Sequence, residues 1–147
     1  MSDRSINASS QEAVSLQPVR LNLPVCGRYI LLVEDNDDAR DITLELLEML
    51  GHHVCAVASA EEALERLNMD QLEVLLTDIT LPAMSGIDLA ILAKQRHPHL
   101  DIIFSSGHDK NNLRLPDITV SYLLKPYTLA QLEQALSITV ERFVGPH

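Results

Sequence analysis

From Arg28 onward the chain alternates between short, continuously apolar runs and longer stretches in which apolar residues recur every three or four positions. The short runs have the length of strands buried on two faces and the longer ones the period of amphipathic helices. Their alternation predicts an α/β protein with a parallel sheet covered on both sides. The strands read as Tyr29–Val33, His53–Val57, 74–77, 102–104 and Val120–Leu124. The first helix starts near Asp37, turns Ala39, Ile42, Leu46 and Met49 inward, and stops at Gly51, a residue suited to a left-handed cap. Leu44, Leu47 and Leu50 fall outside that stripe, which leaves them to a partner helix or to a second buried side. Ser59 and Glu62 form a capping box that opens the second helix, which runs to about Asn68. Gly86 leads into the third helix, which passes through Ala90 and Ala93 to Arg96 and cannot continue through Pro98. A second capping box, Thr128 with Gln131, opens a last helix with Leu129, Leu132, Leu136, Val140 and Phe143 on one stripe.

The N-terminal stretch follows neither pattern. Its first 17 residues are polar and rich in serine, too poor in apolar surface to offset the entropy of ordering. Val19, Leu21, Leu23 and Val25 alternate at period two, as in a short edge strand, but Pro24 removes a donor and a tether is the plainer reading. The expected organisation is therefore a flexible extension or linker over 1–27 and one domain over 28–147.

Composition narrows the function. The 147 residues carry 11 basic and 21 acidic side chains, a formal charge of −10, which repels nucleic-acid backbones and anionic membrane surfaces. No stretch approaches the about 20 apolar residues of a membrane span, and no secretory signal is visible, so a soluble cytoplasmic protein is expected. Cys26 and Cys55 lack metal-site spacing and read as packing residues. His52, His53, His97, His99 and His108 lie at helix ends and in loops without ligand spacing and read as surface residues. The chain ends after its last helix, leaving no length for an output domain, so action through protein contacts is expected.

The candidate chemistry lies where polar residues follow apolar runs. Glu34 and Asp35 follow the first strand, Asp78 the third, Ser105 the fourth and Lys125 the fifth. In an open parallel sheet these carboxyl ends share one edge, where ligands bind. Three carboxylates at that edge repel one another unless a cation compensates them, and hard oxygen donors of this kind suit magnesium. A divalent ion beside a free carboxylate and a lysine suits phosphoryl transfer, with Asp78 as nucleophile, Lys125 pairing with a phosphoryl oxygen and Ser105 donating a hydroxyl hydrogen bond.

Four stretches carry a family resemblance: Ile30-Leu-Leu-Val-Glu-Asp-Asn36, Leu75-Leu-Thr-Asp-Ile-Thr-Leu-Pro-Ala-Met-Ser-Gly86, Ile103-Phe-Ser-Ser-Gly107 and Tyr122-Leu-Leu-Lys-Pro126. In this order and spacing the chain resembles the receiver domain of two-component response regulators. The resemblance implies a flavodoxin-like, doubly wound, five-stranded parallel sheet of order 2-1-3-4-5. It also implies that Asp78 is the phosphoacceptor and that Asp35 is a direct ligand of Mg2+, with Mn2+ as an alternative. Glu34 would act on the ion through water, and Asp78 and the Thr80 backbone carbonyl would complete the set. Ser105 takes the switch-hydroxyl position, Tyr122 the switch aromatic, and Lys125 with Pro126 the lysine motif, whose peptide bond is commonly cis in this family. The implied phosphodonor is a sensor histidine kinase or a histidine phosphotransfer protein, and the chain would be a signalling phosphoacceptor, not a metabolic enzyme.

Glu34 replaces the commoner aspartate and Ser105 the commoner threonine, both with the functional group kept. The segment from Asp109 to Pro116 is too polar and too short for the usual fourth helix, so a shortened or irregular one is expected. Three other readings remain: the receiver module of a hybrid sensor kinase, a magnesium-dependent aspartyl-phosphate phosphatase, and a docking pseudo-receiver that is never phosphorylated. The phosphatase is disfavoured because Asp78 follows the third strand and the DxDx[TV] motif of such enzymes is absent, and the pseudo-receiver because the full set of site residues is intact.

Overall fold

The computed structural model describes residues 17–107 and 120–144 in two compact units, one over Val25–Leu136 and one containing the residues before and after it. The larger unit is a five-stranded parallel sheet built from β2 (Tyr29–Val33), β3 (His53–Val57), β4 (Val74–Asp78), β5 (Asp101–Ser106) and β6 (Val120–Leu124). The spatial order is β3-β2-β4-β5-β6, which is 2-1-3-4-5 counted from Tyr29. Among the described residues its helices are α1 (Asp37–Met49), α2 (Ala60–Arg66), α3 (Gly86–Arg96) and α4 (Leu129–Leu136).

Strand alternation sorts the core into two layers. Leu31, Val33, Leu75, Ile102 and Phe104 meet Ala60 and Ala63 of α2 and Leu89, Ala90 and Ala93 of α3. Ile30, Leu32, Val74, Leu76 and Ile103 meet Leu47 of α1 and Leu132 and Leu136 of α4. Successive side chains of a strand point to opposite faces, so a central strand covered on both sides is apolar throughout.

The caps read from sequence form. Ser59 Oγ accepts from the Glu62 N–H at 3.2 Å, and Glu62 accepts from the Ala58 N–H at 3.0 Å. Thr128 and Gln131 exchange bonds of 2.9 and 3.1 Å. Asn36 caps α1, accepting from the Ala39 N–H at 2.9 Å, and Gly51 ends that turn with φ of +89°.

The facing of α1 differs from expectation. Ile42 and Met49, expected in the core, are 58% and 71% exposed, whereas Thr43 and Leu47 are buried. The helix carries two apolar stripes and its hydrophobicity does not choose between them. Docking chooses, because Leu47 completes the layer formed with α4 and the Thr43 hydroxyl meets the Tyr127 hydroxyl at 2.8 Å.

The last helix is also shorter than expected. It ends at Leu136, whose carbonyl accepts from Arg28 Nη1 at 3.0 Å, a cation placed against the negative end of the helix. Arg28 itself is buried and reaches Asp101 Oδ2. Val140 and Phe143, assigned by sequence to that helix, lie instead in β7 (Ile138–Val144), a run rich in β-branched residues. β7 pairs antiparallel with β1 (Gln17–Leu23), from Gln17 opposite Val144 to Leu23 opposite Ile138. The alternation read as a tether is thus a strand, and residues after Leu136 belong with it, not with the sheet unit. The segment in which a shortened or irregular fourth helix was expected, and His108, lie outside the described residues.

His52, expected at the surface, is buried and accepts the Arg28 backbone N–H on Nδ1 at 3.2 Å. Cys26 is exposed and packs into neither layer, whereas Cys55 packs against the α2/α3 layer.

Two outcomes follow for stability. Ile42→Ser and Met49→Ser should each change urea unfolding by no more than about 0.5 kcal/mol, whereas Leu47→Ala should cost about 2–5 kcal/mol; a core-sized loss at Ile42 would contradict the observed facing. Burial, and secondarily the Arg28 charge, lower the His52 pKa from its ordinary 6.5. The unfolded chain therefore binds a proton that the folded chain resists, so stability falls as pH drops below the ordinary value. Chemical denaturation at stepped pH should show a smaller acid loss in His52→Gln than in the parent.

Candidate functional site

The carboxyl ends of β2, β4 and β6 deliver Glu34, Asp35, Asp78 and Lys125 to one edge of the sheet. Glu34 is only 4% exposed and is fixed on several sides. Its N–H donates to the Val57 carbonyl at 3.1 Å, its Oε2 accepts from the Asn36 N–H at 3.2 Å, and its carbonyl accepts from Arg40 Nη1 at 2.9 Å. Glu34, Asp35 and Asp78 each offer a carboxylate oxygen within 4.8 Å of the others.

Lys125 is the cation among them. Its Nζ donates to Glu34 Oε1 at 2.5 Å and to Asp78 Oδ2 at 3.2 Å. Burial acts to lower the Lys125 pKa, but the hydrogen bond to Glu34 and the charge of Asp78 outweigh it, and the net shift is upward. Lys125 thus remains an ammonium. Three carboxylates against one ammonium leave negative charge uncompensated, and a compact all-oxygen set of this kind fits a hard divalent cation.

The loop after β4 is shaped by backbone contacts. The Gly86 N–H donates to the Ile79 carbonyl at 2.8 Å, and a Cβ on Gly86 would stand 2.0 Å from the Asp78 carbonyl oxygen. Glycine is required because the backbone of Asp78 occupies the space a side chain would need. Thr80 lies exposed in this loop, two residues past Asp78.

Ser105 and Tyr122, read from sequence as one switch, fall on opposite faces of the sheet. Ile102 and Phe104 point into the α2/α3 layer and Ile103 into the α1/α4 layer. By alternation, Ser105 takes the α1/α4 side, in register with Asp78, and Ser106 takes the α2/α3 side. Tyr122 is adjacent to Leu123 of the α1/α4 layer and stacks obliquely on Phe104 at 5.9 Å, which puts it on the face of Ser106. Ser106 was missed by sequence reasoning, although counting alternate residues from Phe104 would have reached it. It is the last residue of β5, and its carbonyl accepts the Lys125 N–H at 2.7 Å.

A five-stranded parallel sheet of order 2-1-3-4-5 with an acid cluster and a lysine at its carboxyl edge defines a class of protein, the flavodoxin-like α/β domains with an acidic, cation-ready site at the strand ends. Comparison with known proteins gives the family: the profile of the response regulator receiver domain matches residues 30–137, and the chain belongs to that family. It is 42% identical over 80 residues to the response regulator receiver protein CpdR of Brucella abortus, covering 54% of this chain and 67% of that protein. It is 31% identical over 118 residues to the sensor kinase CckA of the same organism, covering 77% of this chain but 12% of the kinase. Among solved structures, a response regulator receiver protein from Sinorhizobium medicae is 30% identical with a TM-score of 0.67, covering 75% of this chain and 91% of the other.

Gly86→Ala should displace the end of β4, lowering the thermal midpoint by more than about 4 °C and moving the amide signals of Asp78 and Ile79. An unchanged midpoint with unmoved signals would show that the loop yields without cost.

Proposed function

We propose that this receiver domain accepts a phosphoryl group on Asp78 from a phosphohistidine of a sensor histidine kinase or histidine phosphotransfer protein. The observation that carries the reading is the contact of Lys125 Nζ with both Glu34 and Asp78 inside a cluster of three carboxylates. Asp35, Asp78 and the Thr80 carbonyl would hold Mg2+, or Mn2+ in its place, with Glu34 acting through water. The ion, when bound, neutralises charge on the phosphoryl oxygens.

A carboxylate oxygen of Asp78 attacks phosphorus, the oxygen–phosphorus bond forms as the phosphorus–nitrogen bond breaks, and the electron pair stays on the departing imidazole. Lys125 moves its hydrogen bond from Asp78 to a phosphoryl oxygen while Glu34 keeps it charged and in place. A hydroxyl at the end of β5 donates to another phosphoryl oxygen. We assign that role, and the coupling to Tyr122, to Ser106 in place of Ser105, because Ser106 ends the strand and shares a face with Tyr122. Hydrolysis of the acyl phosphate returns Asp78 to its resting state. The protein thus acts as a switch, not a metabolic enzyme.

No helix among the described residues is long and apolar enough to cross a membrane, and a kinase that forms phosphohistidine from ATP works in the cytoplasm, where we place this domain. Its relatives include both receiver proteins and receiver-bearing sensor kinases, and either setting uses the same site.

Incubation with acetyl phosphate and Mg2+ followed by intact mass spectrometry should show the gain of one phosphoryl group, abolished by Asp78→Asn and by chelation. Absence of that gain, together with no magnesium-dependent beryllofluoride shift in NMR spectra, would reject the reading. Ser106→Ala should uncouple Tyr122 from phosphorylation in the NMR spectrum and Ser105→Ala should not; the opposite result would return the switch to Ser105.

A further inference from the structure

Glu34 and Lys125 meet at the site but rest on different supports. Glu34 is held from the start of α1, by the Asn36 N–H and by Arg40. Lys125 begins the loop between β6 and α4, which is tied to β5 at Ser106 and to α4 by the Thr128 capping box. For the ammonium to stay between Glu34 and Asp78, the loop must keep its place against α1.

A side-chain bond spans these two supports. Thr43 on α1 and Tyr127, two residues past Lys125, share a hydrogen bond of 2.8 Å between their hydroxyls, across 84 positions of sequence. Thr43 is the buried polar residue of α1, where an apolar residue would otherwise be expected beside Leu47. The bond does not lie inside close packing. A cleft of about 390 Å³ opens along α1 and this loop, and Ile42, Thr43, Leu46, Lys125, Pro126 and Tyr127 are among the residues that line it. The Tyr127 ring has space on the cleft side, so its position depends on the hydroxyl bond as well as on its contacts with the α1/α4 layer.

We propose that Thr43 and Tyr127 are positioning residues that set the reach of Lys125 between Glu34 and the phosphoryl group on Asp78. Neither hydroxyl touches the reacting atoms. Their bond joins α1, which carries the Glu34 end, to the loop that carries the ammonium, so that loosening it lets Lys125 drift toward Glu34 and away from Asp78. The inference rests on the phosphoacceptor reading given above.

The test is a double-mutant cycle on the whole chain with Thr43→Val, Tyr127→Phe and their combination, and with Thr43→Ser as the variant that keeps the hydroxyl. Two readouts are taken: the rate of phosphorylation by acetyl phosphate at saturating Mg2+, and the NMR signal of the Lys125 Nζ group in the resting protein. Loss of one neutral hydrogen bond converts to roughly three- to tenfold in rate. Each single variant should slow phosphorylation to that degree and shift the Lys125 signal. The double variant should be no slower than the slower single one, and Thr43→Ser should keep the parent rate. Single losses that multiply in the double variant would overturn the proposal, as would a Tyr127→Phe protein with parent rate and an unmoved Lys125 signal. If the parent chain takes no phosphoryl group, the phosphoacceptor reading fails, while the Lys125 signal still decides whether the hydroxyl pair positions the lysine.

Discussion

Three carboxylates at the carboxyl edge of one sheet repel each other, and the ammonium of Lys125 holds two of them together. Much of the surrounding structure serves that arrangement. Glu34 is buried, and a buried charge is tolerated only when it is paired and hydrogen-bonded, conditions met by Lys125 and the Asn36 N–H. The pairing keeps Lys125 charged although burial opposes it. The same three acids with one base leave the negative excess that makes a hard cation a fitting partner.

Geometry at this edge comes from the backbone more than from the side chains. Parallel strands deliver the ends of β2, β4 and β6 to the same side, while α1 and α4 cover one face of the sheet and α2 and α3 the other, so that its edge is the open surface. Gly86 lets the following loop close over the Asp78 carbonyl, and Ser106 accepts the Lys125 N–H, tying the lysine loop to the neighbouring strand. Resting Lys125 already touches Asp78, so on the proposed reading a phosphoryl group there would replace an existing contact with a stronger charge pair. The polarity of α1 also fits this arrangement: its first turn holds Glu34 through Asn36 and Arg40, and its middle meets the lysine loop through Thr43.

The five strands of the parallel sheet, three of the helices, the two capping boxes and the convergence of Glu34, Asp35, Asp78 and Lys125 were all legible in the sequence. They depend on local rules: apolar runs of strand length, S-x-x-E and T-x-x-Q boxes, and polar residues directly after strands. A parallel topology then brings those residues together without further information. The face of α1 was not legible, because a helix with two apolar stripes can dock on either and only its neighbours choose. The end of α4 was not legible for a related reason. Its amphipathic pattern continues through Val140 and Phe143, but Arg28, more than a hundred residues away, takes the Leu136 carbonyl, and β1 offers Ile138–Val144 a strand to pair with.

The switch hydroxyl shows the same division at the scale of one residue. Sequence reading assigned the switch hydroxyl to Ser105, the first serine after the apolar run of β5, whereas the assignment proposed above to Ser106 depends on the face that Tyr122 occupies. The sequence by itself determined the elements of the parallel sheet unit, their order and the acids and base at their ends, since each of these follows from neighbouring residues. The tertiary structure decided which stripe of α1 is buried, where α4 stops, which serine faces Tyr122, and that Thr43 meets Tyr127. Each of those depends on a contact between residues far apart in the chain, and no local pattern encodes it.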